Sequence, residues 1–301
     1  MSLYSELPEN LNQILDRANA YAAYLGLLTK SSLSDDVTQL QLASFTLTPS
    51  IYPKSEFQKA EKIQLLYHDI FIEIIKNHMN FVEDILNPVQ DDLLQKLLEI
   101  YRNIKNNQHP QTGTLQIFRN DYMTDESKGL KQIEFNNIAV SISPHAEAVG
   151  TLHHYLQESC LENKNFKDID RQENRPASGI VDAFKCAFDL YGIPDAYVLF
   201  VALPNEWNFM DQSKTMFELN KLGIKTMTKS LEDLSKCKLG LGEDGKLFIE
   251  GDEIAIVYYR SGYDLAHYPS EACFTVRELI ERSKAIKCKF FKLKTAFRKT
   301  H

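Results

Sequence analysis

Basic residues are the minority charge in this 301-residue chain: 34 Lys and Arg stand against 41 Asp and Glu, a net charge of −7. No overall cationic field draws in nucleic acid or an anionic membrane, so an anionic small molecule has to be met by local basic residues. No uninterrupted apolar run approaches the roughly 20 residues needed to span a bilayer. The opening MSLYSELPENLNQ lacks the cationic and apolar regions of a signal peptide, and a cytoplasmic location is expected. Cysteine is scarce: Cys160, Cys186, Cys237, Cys273 and Cys288 are scattered, odd in number and without a CxxC pair. That spacing argues against a disulfide framework or a zinc site and for buried or free thiols. His153-His154, with Glu147 six residues before His153, lacks HExxH spacing and reads as satisfied or exposed histidine. No Ser/His/Asp or Cys/His arrangement and no internal repeat is readable.

What the chain does have is 44% hydrophobic and 25% charged residues, the composition of a globular protein with a sizeable core. The first hundred residues read as helical scaffold. Leu11, Ile14, Leu15, Ala18, Tyr21, Ala22 and Leu25 form one apolar face ending near Gly26. A second face runs through Ile63, Leu66, Tyr67, Ile70 and Ile74 in the segment from Lys54 to Leu86, and Asp91-Asp92 opens a third helix reaching Ile104.

After the Pro110–Gly113 turn the period shortens. TLQIF predicts a short strand, QIEFNNIAVS a second, and the residues from Asn120 to Gly129 a polar loop between them. ENKNFKDIDRQENRPAS reads as a loop or linker before a helix from about Gly179 to Tyr191. From Asp195 an α/β unit follows: strand AYVLFVAL, apolar enough to be covered on both faces, helix SKTMFELNKL, strand IKTM and helix LEDLSK. KLFIE and EIAIVYY flank Gly251-Asp252, a hairpin signal of type II′, and VRELIERSKAIK reads as a final helix.

Three of these strands run into polar residues, and ligand crevices in α/β sheets lie outside such carboxyl ends. TLQIF leads into Arg119-Asn120-Asp121-Tyr122, AYVLFVAL into Asn205-Glu206-Trp207-Asn208, and EIAIVYY into Arg260-Ser261-Gly262-Tyr263. Each loop alone reads more readily as ordinary surface, whereas three together shift the balance toward a site. Glu134 and Asn136, two apart on one strand, point to the same face, where a carboxylate beside an amide oxygen suits Mg²⁺; a solvated sheet face is the alternative. Arg119 and Arg260 have the guanidinium fork that captures a carboxylate or phosphate bidentately, with a structural salt bridge as the other reading. Gly240-Leu241-Gly242-Glu243-Asp244-Gly245 matches GxGxxG formally, but the strand KLFIE follows where a helix is needed, and Glu243 and Asp244 would repel a pyrophosphate. It reads as a turn.

The blocks FTLTPS (45–50), RNDYM (119–123), KQIEFNNIAVS (131–141), NEWNFMDQ (205–212), IVYYRSGY (256–263) and ERSKAIKC (281–288) occur in order and at suitable spacing. Together they resemble the signature blocks of eukaryotic-type glutathione synthetase, over nearly all of residues 1–288. The resemblance implies an α/β fold: a partial ATP-grasp-type body of N-terminal helices and sheet over 1–192, a Rossmann-like substrate-binding domain over 193–288, and a divergent basic tail over 289–301. It implies a ligase that joins γ-glutamylcysteine to glycine through an acyl phosphate made from ATP, working as a homodimer. Glu134 and Asn136 then match the family's Mg²⁺ ligands, with Glu134 also touching ATP, and Met123 matches a nucleotide contact. Arg119, Ser141, Glu206, Asn208, Gln212, Arg260, Ser261, Gly262 and Tyr263 match contacts to the dipeptide substrate, Arg119 and Arg260 being the catalytic guanidinium groups.

Departures from the pattern are local and terminal. Asn120 stands where the family commonly has Ser, and Ser143-Pro144 where it has glycines. The similarity stops at Cys288, before the family's expected lysine for ATP, third Mg²⁺ ligand and glycine-rich lid. The resemblance therefore implies a C-terminally truncated member in which ligation by this chain alone is expected to be undetectable. The alternative is a non-catalytic form that binds γ-glutamylcysteine or associates with a full-length subunit.

Overall fold

The computed structural model describes residues 10–31, 38–106, 111–125, 127–159 and 173–288. Cys160, most of the expected loop at 162–178 and the basic tail lie outside them. Along the chain the elements are α1 (Leu11–Tyr24), β1 (Leu28–Lys30), β2 (Leu40–Leu42), α2 (Lys54–Asn77), α3 (Met79–Leu86), α4 (Asp92–Ile104), β3 (Arg119–Asp125), β4 (Gly129–Asn136) and α5 (Ser143–Ser159). They continue as α6 (Pro176–Tyr191), β5 (Tyr197–Val201), α7 (Phe209–Lys221), β6 (Lys225–Lys229), α8 (Leu231–Lys236), β7 (Leu239–Leu241), β8 (Leu247–Ile249), β9 (Asp252–Tyr259), α9 (Glu271–Arg282) and β10 (Ile286–Cys288). No described helix is long and apolar enough to cross a membrane.

Two compact units arise from interleaved stretches. One comprises Met1–Lys54, Ser141–Gly179 and Asn205–Thr215, the other Ser55–Val140, Ile180–Pro204 and Met216–His301. In the first, Ile14, Ala18 and Ala22 of α1 pack on Ala148, Leu152 and Leu156 of α5. Both sets recur at helical spacing, which is why each helix offers one stripe.

The second unit is built on a sheet ordered β6-β5-β9-β8-β7, with β10 also paired to β9. β5, β6, β9 and β10 run parallel, and β8 is antiparallel to both of its neighbours, β7 and β9. Period-two alternation feeds a core on each face. Leu199, Val201, Val257 and Tyr259 join the core that includes α4 and α9, while Val198, Phe200, Ile256 and Tyr258 join the one with Phe184 and Phe188 of α6. Both faces are covered, as the unbroken apolar runs predict.

Several expectations are corrected. TLQIF is not a strand apart from one bridge, Leu115 to Cys288, and the residues expected to be a polar loop form β3, paired antiparallel with β4. Phe118 instead stacks on His68 and packs against Phe71 and Phe135. The helix expected to run to Leu86 breaks at His78. Its inward face is rotated from the expected stripe: Leu66 and Ile70 are exposed, and Phe71 is the buried residue of α2. The rotation follows from what α2 meets, since Phe71 stacks 4.4 Å from Phe135 and Gln64 accepts from Asn120 at 2.8 Å. The hairpin turn is Glu250-Gly251, closed by the Ile249–Asp252 pair. With φ of 52° and 98° at its two residues it is type I′, the twist that suits flanking strands. Finally, the last helix stops at Arg282, and Ile286–Cys288 leaves it to pair with β9, burying Ile286 and Cys288.

Candidate functional site

In the second unit, β3 and β4 expose one face and rest the other on α2. Gln64 and Tyr67 of α2 bond Asn120 and Gln132, and Phe71 stacks on Phe135. A register shift between Asp121 and Tyr122 places Arg119 opposite Asn136 and Asp121 opposite Glu134. Arg119, Asp121, Glu134 and Asn136 thus share the face turned from α2, as the two-residue spacing of Glu134 and Asn136 predicts. Arg119 makes a forked pair with Asp121, Nε to Oδ1 at 2.7 Å and Nη2 to Oδ2 at 2.9 Å. Asn136, buried, donates Nδ2 to the same Oδ2 at 3.2 Å. Glu134 is exposed and has no ion-pair partner among the described residues. Met123 is also exposed on β3, 64% accessible.

Asp121 is not singled out by sequence, because the residues from Asn120 on read as a loop, and its two-residue spacing from Arg119 marks a shared face only once that stretch is a strand. The like-charged Asp121 and Glu134 lie directly across the ladder, an arrangement that is unfavourable unless a cation intervenes. Arg119 supplies that cation on the Asp121 side.

At the carboxyl ends of the parallel neighbours β5 and β9, the backbone of Arg260 and Ser261 donates to the carbonyl of Val201 at 2.9 and 3.0 Å, and Ser261 Oγ adds a third bond at 3.1 Å. Three donors on one carbonyl fix where β9 ends. The Arg260 side chain, 5% exposed, donates from Nη1 to the Val140 carbonyl, which also accepts from Tyr258 Oη at 3.0 Å. Gly262 has φ 84°, and a Cβ there would stand 3.0 Å from Tyr268 Oη, so the sharp turn needs glycine. Its N–H donates to His267 Nδ1 at 3.0 Å, and the same His267 ring meets Tyr263 edge-on at 4.7 Å.

The segment whose carbonyl Arg260 holds is strained. Ala139 and Ile142, neither glycine, have φ of 47° and 74°, and for β-branched Ile142 that is a marked outlier. Ser143-Pro144 then opens α5, proline being suited to a first turn.

Ser141, Glu206, Asn208 and Gln212 belong to the first unit. Asn208 and Gln212 are buried and Ser141 and Glu206 half-buried, with Asn205 before them at φ 58°. The loop 205–208 is tied to β1 by the Lys30 N–H, which donates to the Trp207 carbonyl at 3.1 Å. Beside Gln212, buried Asp211 faces buried His145 at 3.8 Å, and His145 Nε2 lies 3.2 Å from the Leu28 carbonyl. Burial lowers the Lys214 ammonium below its ordinary range, with Asp211 and Glu147 opposing the shift, while Lys214 donates to the Leu25 carbonyl at 2.6 Å. Glu147 itself accepts from Ala177 N, Ser178 N and Ser178 Oγ at the start of α6, and His153 Nε2 bonds the Thr46 carbonyl at 2.7 Å.

Among the described residues no group of three or more His, Cys, Asp or Glu side chains could hold a metal ion. Glu134 and Asn136 instead combine a carboxylate with an amide, the oxygen donor set of a hard cation. Because a carboxylate can only accept, Asn136 must turn its NH₂ to Asp121, which leaves its carbonyl oxygen as the end available to a cation.

The sequence pattern of the family "Eukaryotic glutathione synthase, ATP binding domain" matches residues 8–287. Glutathione synthetase of Homo sapiens is 32% identical over 289 residues, covering 94% of this chain and 59% of that protein. The Dictyostelium discoideum glutathione synthetase is 30% identical, covering 94% of this chain and 62% of its own length. The chain thus spans about three fifths of the length of these relatives. A solved glutathione synthetase-like effector from Globodera pallida, in its apo form, shares the fold with a TM-score of 0.70 at 17% identity, over 95% of this chain and 62% of that one. With its family pattern matched across 280 of 301 residues, counting 8 to 287 inclusive, the chain belongs to the eukaryotic glutathione synthases.

Proposed function

We propose that the chain carries the dipeptide-binding part and the first two metal ligands of an ATP-dependent ligase that joins γ-glutamylcysteine to glycine through an acyl phosphate. The observation that carries this reading is the family match over 8–287, a span that includes the blocks holding Arg119, Glu134, Asn136 and Arg260. In this reading 1–192 belongs to the ATP-grasp body and 193–288 to the substrate-binding domain. The enzyme acts in the cytoplasm as a homodimer.

The roles follow from the chemistry of each group. Arg119 and Arg260 hold substrate carboxylates, and a guanidinium as buried as Arg260 binds an anion more strongly than one in bulk water. Ser141, Glu206, Asn208, Gln212, Ser261, Gly262 and Tyr263 orient the dipeptide by hydrogen bonds and shape. Glu134 and Asn136 hold Mg²⁺, which when bound neutralises phosphoryl oxygens, and Met123 lies against the nucleotide. Positioning and electrostatics then supply most of the rate.

Coverage of only 59% of the human relative favours a second reading for the chain by itself, binding without ligation. Calorimetry with γ-glutamylcysteine, run beside an ADP-release assay with ATP, Mg²⁺ and glycine, tests both. Binding with ADP release supports the first reading, binding without it the second, and absence of binding removes both. An Arg260→Gln variant that binds the dipeptide as well as the parent would also remove the role given to that side chain. Sedimentation decides the dimer.

A further inference from the structure

The β3–β4 face contains one residue that none of the family blocks assigned a role, and it touches two that they did. Asp121 uses both carboxylate oxygens on the Arg119 fork and shares Oδ2 with Asn136 Nδ2. We propose that Asp121 is the positioning residue of this face, fixing the flip of the Asn136 amide so that its oxygen is presented to a divalent cation, and tethering Arg119 in the same act. This rests on the reading of Glu134 and Asn136 as cation ligands.

An asparagine side chain has two nearly isosteric ends of opposite polarity, and a cation accepts only one of them. A free amide distributes between both flips. With Asp121 ionised, the flip that turns Oδ1 toward it sets a carbonyl against a carboxylate, and the flip that turns Nδ2 toward it gains a charge-assisted bond. The carboxylate therefore selects the cation-competent rotamer before any cation arrives, which is preorganisation by an outer partner. Asp121 sits directly opposite Glu134 in the ladder. If its charge were left bare it would repel Glu134, and the Arg119 fork offsets that repulsion. One carboxylate thus sets amide polarity, while one guanidinium keeps that carboxylate from disturbing the neighbouring ligand.

The arrangement predicts non-additivity. Mn²⁺, read by the electron paramagnetic resonance of the free ion with Mg²⁺ as competitor, is titrated into the parent chain, Asp121→Asn, Asn136→Ala and the double variant. Loss of an outer partner typically weakens metal binding about 10- to 100-fold, and Asp121→Asn is expected in that range. In the Asn136→Ala background the same substitution is expected to change Mn²⁺ affinity little, since the amide it acts through is gone. Equal weakening in both backgrounds means that Asp121 acts by its charge or as a direct ligand, and overturns the proposal, as does an Asp121→Asn variant that binds like the parent. Those two outcomes leave the cation reading intact, whereas a parent chain that takes up no Mn²⁺ overturns the reading and the proposal together. A measurement that needs no folded variant is the exchange of the Asn136 side-chain NH₂ protons in the ¹⁵N-labelled parent. Slow exchange without metal supports the tether, and exchange at the rate of a free amide overturns it.

Discussion

Arg260 and Tyr258 meet on one oxygen, the carbonyl of Val140, which takes a bond from the guanidinium and a second from the phenol at 3.0 Å. Both side chains are buried and lie on consecutive same-face positions at the end of β9. Either donor alone keeps the carbonyl satisfied. Tyr258→Phe is therefore expected to cost about 1 kcal/mol and Arg260→Gln about 1 to 3. The double variant should lose more than the sum, because only then is a buried acceptor orphaned. Urea midpoints of the four proteins check this, and strict additivity would show that the carbonyl finds another donor.

Arg277 on α9 is wholly buried, its guanidinium carbon 3.8 Å from the centre of the Tyr259 ring and its Nε 2.8 Å from Glu281 Oε1. Truncating one partner of a buried ion pair strands the other charge. Glu281→Ala or Arg277→Ala should lower stability by about 3 to 5 kcal/mol, whereas replacing both by apolar residues of similar volume should cost much less. Thermal unfolding of the single and paired variants decides, and a paired variant as unstable as the sum of the singles would contradict this.

The same pair shows where sequence reading stops. Arg277 and Glu281 stand four apart, as surface pairs on helices do, and nothing in VRELIER says that both are sealed between α9 and the sheet. By contrast, the two-sided burial of β5 and β9 is legible, because runs such as AYVLFVAL need cover on both faces. TLQIF misled for a related reason: Leu115, Ile117 and Phe118 are apolar because they pack on neighbours as an irregular segment, while polar Arg119–Asp125 is held extended by its partner strand β4. On the candidate face, Glu134 and Asn136 followed from spacing. Asp121 did not, because its importance lies in what it touches and not in a motif of its own.

Two glycines make opposite predictions from backbone geometry alone. Gly251 sits at φ 98° in the β8–β9 turn, and Gly150 lies within helix α5 with no left-handed φ; a Cβ at either meets nothing within 4 Å. With no clash to consider, conformation decides. Gly251→Ala should destabilise by about 1 to 2 kcal/mol through the left-handed requirement, and Gly150→Ala should stabilise by about 0.5 to 1. Chemical denaturation of both variants reads the two signs, and the same sign for both would refute the turn assignment.

Lys287 on β10 is buried at 4% exposure, its ammonium donating to the Ser283 carbonyl at 2.7 Å. Burial pushes it down to about 8 from an ordinary 10.5, with Glu281 opposing the shift and Arg277 adding to it. A base whose affinity for the proton falls on folding leaves the unfolded chain holding more protons between those two values, so its contribution to stability rises with pH there. Next to it, burial raises the Cys288 thiol above its ordinary 9.0, so from pH 9 upward the unfolded chain has lost a proton that the folded one keeps, and stability falls. Tyr259 and Tyr268, raised by burial above 10.0, extend that fall. Between about pH 8 and 9 the Lys287 effect therefore precedes that fall, and Lys214, also lowered by burial, adds to it with the same sign. Urea midpoints across that window should climb in the parent and climb less in Lys287→Met, where only Lys214 still contributes, whatever the overall offset of the variant. In Cys288→Ala the climb should persist toward pH 10, where the tyrosines take over. A parent midpoint that drops steadily from pH 8 would mean that Lys287 is solvated in the folded chain, and that β10 is less firmly seated on β9 than its buried register requires.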